Sequence, residues 1–509
     1  MPRVYRFCER LTEATLYFMV VFGPWAFGTT QPATIWLMNG AGFLLGALLA
    51  AKYLVRWTTG YRPASWRRTD PRRPSPGSQW LAPAMAILTV SFLGYVLAGA
   101  LNARAAFNLR QLAFDYFTCI PWLPHSYDRG ATWFAFWQYL GLACVFWAAR
   151  DWLPGAPPPE QPASRMRAGS GVRRPARHGF GSPDAQDDWV SVRVRRLLMV
   201  VCISGTLAAL EGIAQRLAGS DKLLFLLPAH FHPAGVDHFG PYANRNNGAE
   251  YFNLVWPVCA GLAWLAAQSA KRARAEGLRR CGNAHVWLTI GALFMGVCPL
   301  MSGSRGGALV SLAMVTVVLV VMLAIPRRLP ARSKIGLGLL VAAALQGAVV
   351  LGWDNLRARL EEVFIDDLSG RLALYKDAAA MARDYPALGL GAGAFESLYY
   401  FYRTDETREW AAYLHDDWFE FRITLGWIGF GLLLALLAGA LLNWFIGRGP
   451  PLPMLLAALL WIAMAGCLFH ARFDFPFRVH SIAALFILYC AILSSGNRRA
   501  PALGTVALN

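Results

Sequence analysis

Four polar clusters in a chain that is otherwise rich in apolar residues carry side chains able to do chemistry. The first is Asn244-Arg245-Asn246-Asn247 and the second is Ser302-Gly303-Ser304-Arg305-Gly306-Gly307. Each seats a permanent cation among small or amide-bearing residues. A cation carried to the centre of a bilayer costs about 2.5–3.5 kcal/mol. Snorkelling to the interface is one explanation for Arg305. The glycines and serines around it favour the other, a tight backbone bend that lines a polar cavity. The third cluster, Ser369-Gly370-Arg371, opens an amphipathic stretch that runs to Arg383 and stops before Pro386. The spacing predicts Ser369 as a helix cap with Arg371 in the first turn. The helix dipole disfavours a cation there unless an anion is shared between the guanidinium and the free backbone N–H groups; a solvated arginine is the alternative. The fourth cluster is His415-Asp416-Asp417. Around it Trp410, Leu414, Trp418, Phe421 and Leu425 recur at helical spacing, with His415 off that stripe and near Trp418, Phe419 and Arg422. An imidazole can accept a proton at neutral pH, so His415 is a candidate general base, a surface histidine being the alternative.

Other chemistries lack their residues. No CxxC, HExxH or P-loop pattern occurs. The glycine run at 389–393 has no preceding strand and no ribose-binding acid after it, so it reads as a turn following Pro386. His230, His232 and His238 with Asp237 have metal-like composition but no supporting cysteines or second cluster. Neither a metal nor a cofactor is expected. The nine cysteines are odd in number and lie mostly inside apolar stretches, which argues against a disulfide framework.

The elements that must position these clusters are membrane helices. Of 509 residues, 56% are hydrophobic and 15% charged, against roughly 25% charged in soluble domains. The apolar residues come in blocks of about twenty, enough to cross a hydrocarbon core of roughly 30 Å. The expected fold is all-α and polytopic. About twelve spans are expected, near 13–29, 32–55, 80–101, 131–150, 196–217, 248–268, 285–303, 306–325, 335–353, 424–446, 453–471 and 476–495. The first has a signal-peptide look, without a convincing cleavage site, and is taken as retained. Basic residues set the orientation: Arg56 to Arg73, Arg165 to Arg195, Lys271 to Arg280, Arg327 to Lys334, and Arg498 with Arg499 all fall on the side of the N-terminus. The positive-inside rule makes that side cytoplasmic. The net charge of +18 is then mainly a topology signal beside anionic lipid, and no nucleic-acid partner is expected. Residues 354–420 oppose the trend, with fourteen acidic against seven basic residues. The chain divides accordingly into N-terminal membrane helices with basic cytoplasmic loops (1–195), central membrane helices bearing two arginine clusters (196–353), a helical loop subdomain on the non-cytoplasmic side (354–423), and C-terminal helices with a short tail (424–509). All four polar clusters fall on that non-cytoplasmic side. Tyr399, Tyr400, Phe401 and Tyr402 form an aromatic rim suited either to sugar stacking or to interface anchoring.

His415, Gly426 and Gly429 form a His-x10-Gly-x2-Gly pattern. With it stand Gly240-Pro241-Tyr242-Ala243-Asn244-Arg245-Asn246, Ser304-Arg305-Gly306, Gly370-Arg371, the stretch 384–395 (Asp-Tyr-Pro-Ala-Leu-Gly-Leu-Gly-Ala-Gly-Ala-Phe) and Asp474-Phe475-Pro476. In that order, over roughly residues 200–495, the set resembles the O-antigen ligase superfamily of ligases, polysaccharide polymerases and oligosaccharyltransferases. Asp416 departs from the residue common after the histidine in ligases, which leaves ligase and polymerase both open. The resemblance implies a metal-independent inverting glycosyltransferase at the periplasmic face of a bacterial inner membrane. It implies an undecaprenyl-diphosphate-linked glycan donor and a glycan or lipid A–core acceptor, among membrane lipids. Arg245, Arg305 and Arg371 would then bind the diphosphate and His415 would act as base, with Asp416 or Asp417 orienting the imidazole or the acceptor. A polysaccharide or lipid transporter is the contrasting class; such proteins show internal repeats and midplane sites, and no obvious repeat is found here.

Overall fold

A computed structural model describes residues 1–63, 76–108, 110–154, 190–228, 238–275, 282–324, 368–404, 412–446 and 452–495. These are mostly helical, in the order α1 (Arg3–Trp25), α2 (Pro32–Thr59), α3 (Pro76–Leu101), α4 (Arg129–Trp152), α5 (Val192–Leu217), α6 (Arg245–Ala275), α7 (Ala284–Met301), α8 (Arg305–Ala324), α9 (Leu368–Asp384), α10 (Phe395–Tyr399), α11 (Asp417–Ile446), α12 (Met454–His470) and α13 (His480–Ser495). The chain is a multi-pass membrane protein. Among the described residues, five helical segments are long and apolar enough to cross a membrane: Pro32–Thr59, Trp80–Leu101, Val192–Leu217, Ala284–Met301 and Asp417–Ile446. Arg305–Val321, Met454–His470 and His480–Ser495 are shorter apolar helices. The expected twelve spans are thus met by length and composition only in part. Of the other expected spans, α13 has 16 residues and is buried along nearly all of them, while α6 is long enough but carries Asn247, Glu250 and Asn253 within its buried stretch. The expected span at 335–353, most of the basic loop 151–195, and His230, His232 and Asp237 lie outside the described residues.

The all-α expectation also needs an addition. Two short antiparallel hairpins, β1 (Ala105–Asn108) with β2 (Ala113–Tyr116) and β3 (Lys222–Leu223) with β4 (Leu227–Pro228), sit in helix connections. The first joins a cluster with Leu374, Met381, Phe395, Leu398 and Leu414 through Phe114. The region packed on α9 and α10 therefore draws on the α3–α4 connection as well as on residues from Leu374 to Ile423.

Helices approach closely where side chains vanish. On α2, a Cβ at Gly42 would lie 2.7 Å from the Gly141 carbonyl oxygen of α4, the small-residue contact common between membrane helices. Farther along, α11 is broken at Gly426 (φ 62°, ψ −178°). The broken helical hydrogen bonds are replaced by the glycine-rich turn 386–391. Trp427 and Ile428 N–H donate to the Pro386 and Ala387 carbonyls at 3.0 and 3.2 Å, and Leu390 and Gly391 N–H to those of Ile423 and Thr424 at 3.1 and 3.0 Å. On the other side of the turn, Thr132 Oγ1 donates to the Ala392 carbonyl at 2.9 Å. The run after Pro386 is a turn, as its composition predicts, and it locks the start of α11 to the start of α4.

Candidate active site

Helix starts position two of the three arginines by ordinary capping. Asn244 caps α6, its Oδ1 accepting the Asn246 N–H at 2.8 Å, so Arg245 is the first helical residue. Ahead of it, Phe239 and Tyr242 close a tight turn on each other with Gly240 at φ 58°. Gln215 of α5 fixes that turn by accepting the Gly240 N–H on Oε1 at 3.0 Å. The bend between α7 and α8 is as tight as its glycines suggest. Gly303 takes φ 74° just beyond the end of α7, the conformation that commonly ends helices. Ser304 then caps α8, its Oγ accepting the Gly307 N–H at 3.1 Å, and Arg305 is the first residue of α8. Arg216 of α5 donates to the carbonyls of Met301 and Ser302 at 3.2 and 3.0 Å. One turn of α5 therefore braces both arginine motifs, and neither Gln215 nor Arg216 carries a signal in the sequence. Both Arg245 and Arg305 are half-buried. Their helix starts touch: Asn253 Nδ2 on α6 donates to the Gly307 carbonyl at 2.9 Å, and a Cβ on Gly307 would collide with that of Ala249 at 2.4 Å. Arg371 is the fourth residue of α9, which begins at Leu368. Ser369 is therefore inside the helix and not its cap.

His415, expected on the helical stretch though off its apolar stripe, is not in the helix. It lies before α11 with φ 56°, a left-handed conformation uncommon for any side chain but glycine. Asp416 is then the helix cap, its Oδ1 accepting the Phe419 N–H at 3.1 Å, with Arg472 ion-paired to its other oxygen. Burial pushes the Asp416 carboxyl above the usual carboxylate value, and the Phe419 N–H and Arg472 pull only partly the other way. Asp417, fully buried, accepts the Phe477 N–H at 2.7 Å and faces Arg478. Arg478 also pairs with Glu420 at 2.7 Å, and Glu420 Oε2 accepts the Leu414 N–H at 2.9 Å. The two aspartates thus hold the turn and not the imidazole. The carboxylate on the ring is Asp474, whose Oδ1 lies 3.0 Å from His415 Nδ1. Asp474 belongs to the Asp-Phe-Pro motif, but its partnership spans 59 residues of chain and has no periodicity to reveal it. Phe475 sets an edge against the imidazole, centroids 4.9 Å apart, and Tyr413 packs on Phe475 at 4.6 Å. The result is asymmetric: the imidazole side chain is 34% exposed and the Asp474 side chain 5%. A carboxylate on Nδ1 favours the tautomer that leaves Nε2 free to accept a proton.

The four expected residues sit on neighbouring pieces of backbone. Tyr375, one turn after Arg371 on α9, donates its hydroxyl to the His415 carbonyl at 3.2 Å. The turn holding Asp474 follows directly on α12, whose last residue, His470, lies against Gly306 beside Arg305. The aromatic rim is rearranged: Tyr399 is buried and Phe401 is 70% exposed, while Tyr402 donates to Asp384 at 2.7 Å. Among the described residues no group of three or more His, Cys, Asp or Glu is placed to hold a metal ion. What the arrangement offers is a partly exposed imidazole backed by a buried carboxylate, on backbone that neighbours helix starts carrying arginines, a combination suited to anionic leaving groups.

Residues 290–434, which include Arg305, Arg371 and His415, match the family model described as O-antigen ligase. The match supports the superfamily resemblance drawn from the motifs; Arg245 and Asp474 lie outside the matched segment. No curated protein and no solved structure matches the chain.

Proposed function

We propose that this membrane enzyme of the O-antigen ligase and polymerase type transfers a saccharide from undecaprenyl diphosphate to an acceptor hydroxyl, most like a ligase acting on lipid A–core. The observation that carries the reading is the His415–Asp474 pair, with Nδ1 engaged at 3.0 Å and the imidazole side chain 34% exposed. In the transfer, the acceptor oxygen forms a bond to the anomeric carbon as the bond from that carbon to the phosphate oxygen breaks. The hydroxyl proton passes to His415 Nε2, and the electron pair of the broken bond leaves on the lipid diphosphate. Asp474 stabilises the imidazolium that forms. Arg245, Arg305 and Arg371 neutralise the diphosphate as its charge grows, with the bidentate geometry only a guanidinium has. A single displacement inverts the anomeric configuration and needs no covalent nucleophile. The reaction side faces the periplasm of a bacterial inner membrane, opposite the basic loops, with both termini cytoplasmic.

The test is transfer by purified protein in nanodiscs, given a lipid-diphosphate oligosaccharide and either lipid A–core or a second lipid-linked repeat. The expected product is glycosylated lipid A–core with inverted anomeric configuration, formed at the same rate in the presence of a metal chelator. Elongation of the lipid-linked repeat alone would make it a polymerase. Movement of saccharide across the bilayer without a new glycosidic bond would make it a transporter.

A further inference from the structure

Behind the donor arginines lies a second histidine–carboxylate pair that this mechanism does not use. Glu250, five residues beyond Arg245 on α6, and His470, the last residue of α12, are joined through Oε2 and Nδ1, each side chain only 2% exposed. Glu250 Oε1 has no hydrogen-bond partner among the described residues. The other edge of the ring faces α8, where a Cβ on Gly306 would lie 3.2 Å from Nε2. The carbonyl of His470 accepts the Asp474 N–H at 3.1 Å. The pair therefore touches α6 close to Arg245 and α8 beside Arg305, and stands one backbone hydrogen bond from the carboxylate that holds His415.

Stability alone does not account for such a pair. Removing two ionisable groups from water offsets most of what their attraction returns, and a packed apolar pair of similar size is often as stable or more so. A buried polar contact with a single good geometry does fix register between elements. We propose that Glu250 and His470 are positioning residues that set the first turns of α6 and α8, and so the donor arginines, against the His415–Asp474 pair. The proposal rests on the transferase reading. Chemistry of this kind depends on alignment within a fraction of an ångström, whereas ground-state binding by long arginine side chains tolerates more.

The experiment compares donor Kd, single-turnover rate at saturating donor, and melting temperature in detergent for Glu250→Leu, His470→Leu, Glu250→Gln and Gly306→Ala. The leucine variants should lose at least about tenfold in rate while donor Kd stays within about threefold and the melting temperature holds or rises. Glu250→Gln, whose amide oxygen can still accept from Nδ1–H, should retain the rate within about threefold. Gly306→Ala presses on the ring from the other side; it should slow transfer alone and add little to His470→Leu. Because the glutamine and alanine variants keep the packing nearly intact, they decide the matter even if leucine prevents folding. A lowered melting temperature with an unchanged rate per folded molecule would reduce the pair to a structural clip and overturn the proposal, as would additive losses for Gly306→Ala and His470→Leu. If wild type transfers and His415→Ala does not, while the pair variants behave as wild type, only this proposal fails. If wild type forms no glycosidic bond, the transferase reading fails and takes the pair's role with it.

Discussion

His415 stands in a left-handed conformation that costs an L side chain roughly 1–2 kcal/mol. A residue held there is oriented by its surroundings: Phe475 against the ring, Asp474 on Nδ1 and Tyr375 on its carbonyl. His415→Ala should cost about 10²–10⁴-fold in single-turnover rate, the usual loss of a general base, with donor affinity little changed. Arg305→Ala should instead weaken donor binding and slow the chemistry, and Arg305→Lys should rescue only part of it. Loss of donor binding in His415→Ala as severe as in Arg305→Ala would mean the histidine is not acting on the acceptor. His415→Gly should be as inactive as His415→Ala yet more stable than it by about 1 kcal/mol, since glycine adopts this backbone freely; equal melting temperatures would contradict that. Asp474→Asn probes the partner. An amide that donates to Nδ1 selects the wrong tautomer, so the rate should fall by about tenfold or more with the fold intact. An unchanged rate and pH profile would remove Asp474 from the mechanism.

At the scale of elements, what could be read from sequence was what is local. Arg245 and Arg305 follow capping residues by one position, and their place at helix starts is written in those neighbours. Asp416 and Asp417 drew attention for the same reason, as neighbours of His415; the Asp416 cap on Phe419 is local, but the bonds to Arg472 and Phe477 reach more than fifty residues along the chain. Asp474, Glu250 and His470 gain meaning only when α6, α8 and α12 pack together, which no spacing encodes. The break in α11 lies between these cases. Gly426 was visible as part of a motif, but its conformation depends on the turn at 386–391 that replaces its hydrogen bonds. A Cβ at Gly426 would come within 2.2 Å of the Ala387 carbonyl oxygen, in a region of backbone space reserved for glycine. Gly426→Ala should therefore destabilise by about 3 kcal/mol or more and detach the 386–391 turn. Gly60→Ala is the control: its φ is 63° but nothing lies within 4 Å of the added carbon, so about 1 kcal/mol is the expected cost. Equal melting temperatures for the two variants would show that the turn does not hold α11.

Across the whole molecule, two polar assemblies sit at different places in the helical packing. One is the candidate site. The other is a buried ion cluster in which Lys52, fully covered, lies 3.1 Å from Glu9 and 2.8 Å from Asp151, while Arg56 lies 2.8 Å from Asp151 and Arg193 pairs with Glu9. These residues belong to the start of α1, the end of α2, the end of α4 and the start of α5. The cluster gathers those four helix ends at one face of the bundle, independently of any hydropathy argument, and the basic loops leave from there. Removing Asp151 takes a carboxylate from two buried cations at once, Lys52 keeping Glu9 and Arg56 the Tyr5 hydroxyl, so Asp151→Ala should cost about 3 kcal/mol. Lys52→Met removes one cation and leaves Glu9 and Asp151 each with an arginine, and should cost less; the reverse order of melting temperatures would refute the cluster as drawn. The same geometry fixes a test of orientation. Thr59, three residues past Arg56, is exposed at the cluster end of α2, and Tyr116 is 73% exposed on the hairpin that packs beside α9 and α10. With Cys119 replaced by serine to silence the nearest native thiol, Thr59→Cys and Tyr116→Cys give one reporter at each end. An impermeant maleimide added to spheroplasts should label position 116 and leave position 59 unlabelled until the membrane is opened, because arginine-rich loops are retained in the cytoplasm. Labelling of both sites from outside would mean that one connection is misassigned. Labelling of 59 alone would turn the molecule over and put His415 on the cytoplasmic side, where a periplasmic transfer is impossible.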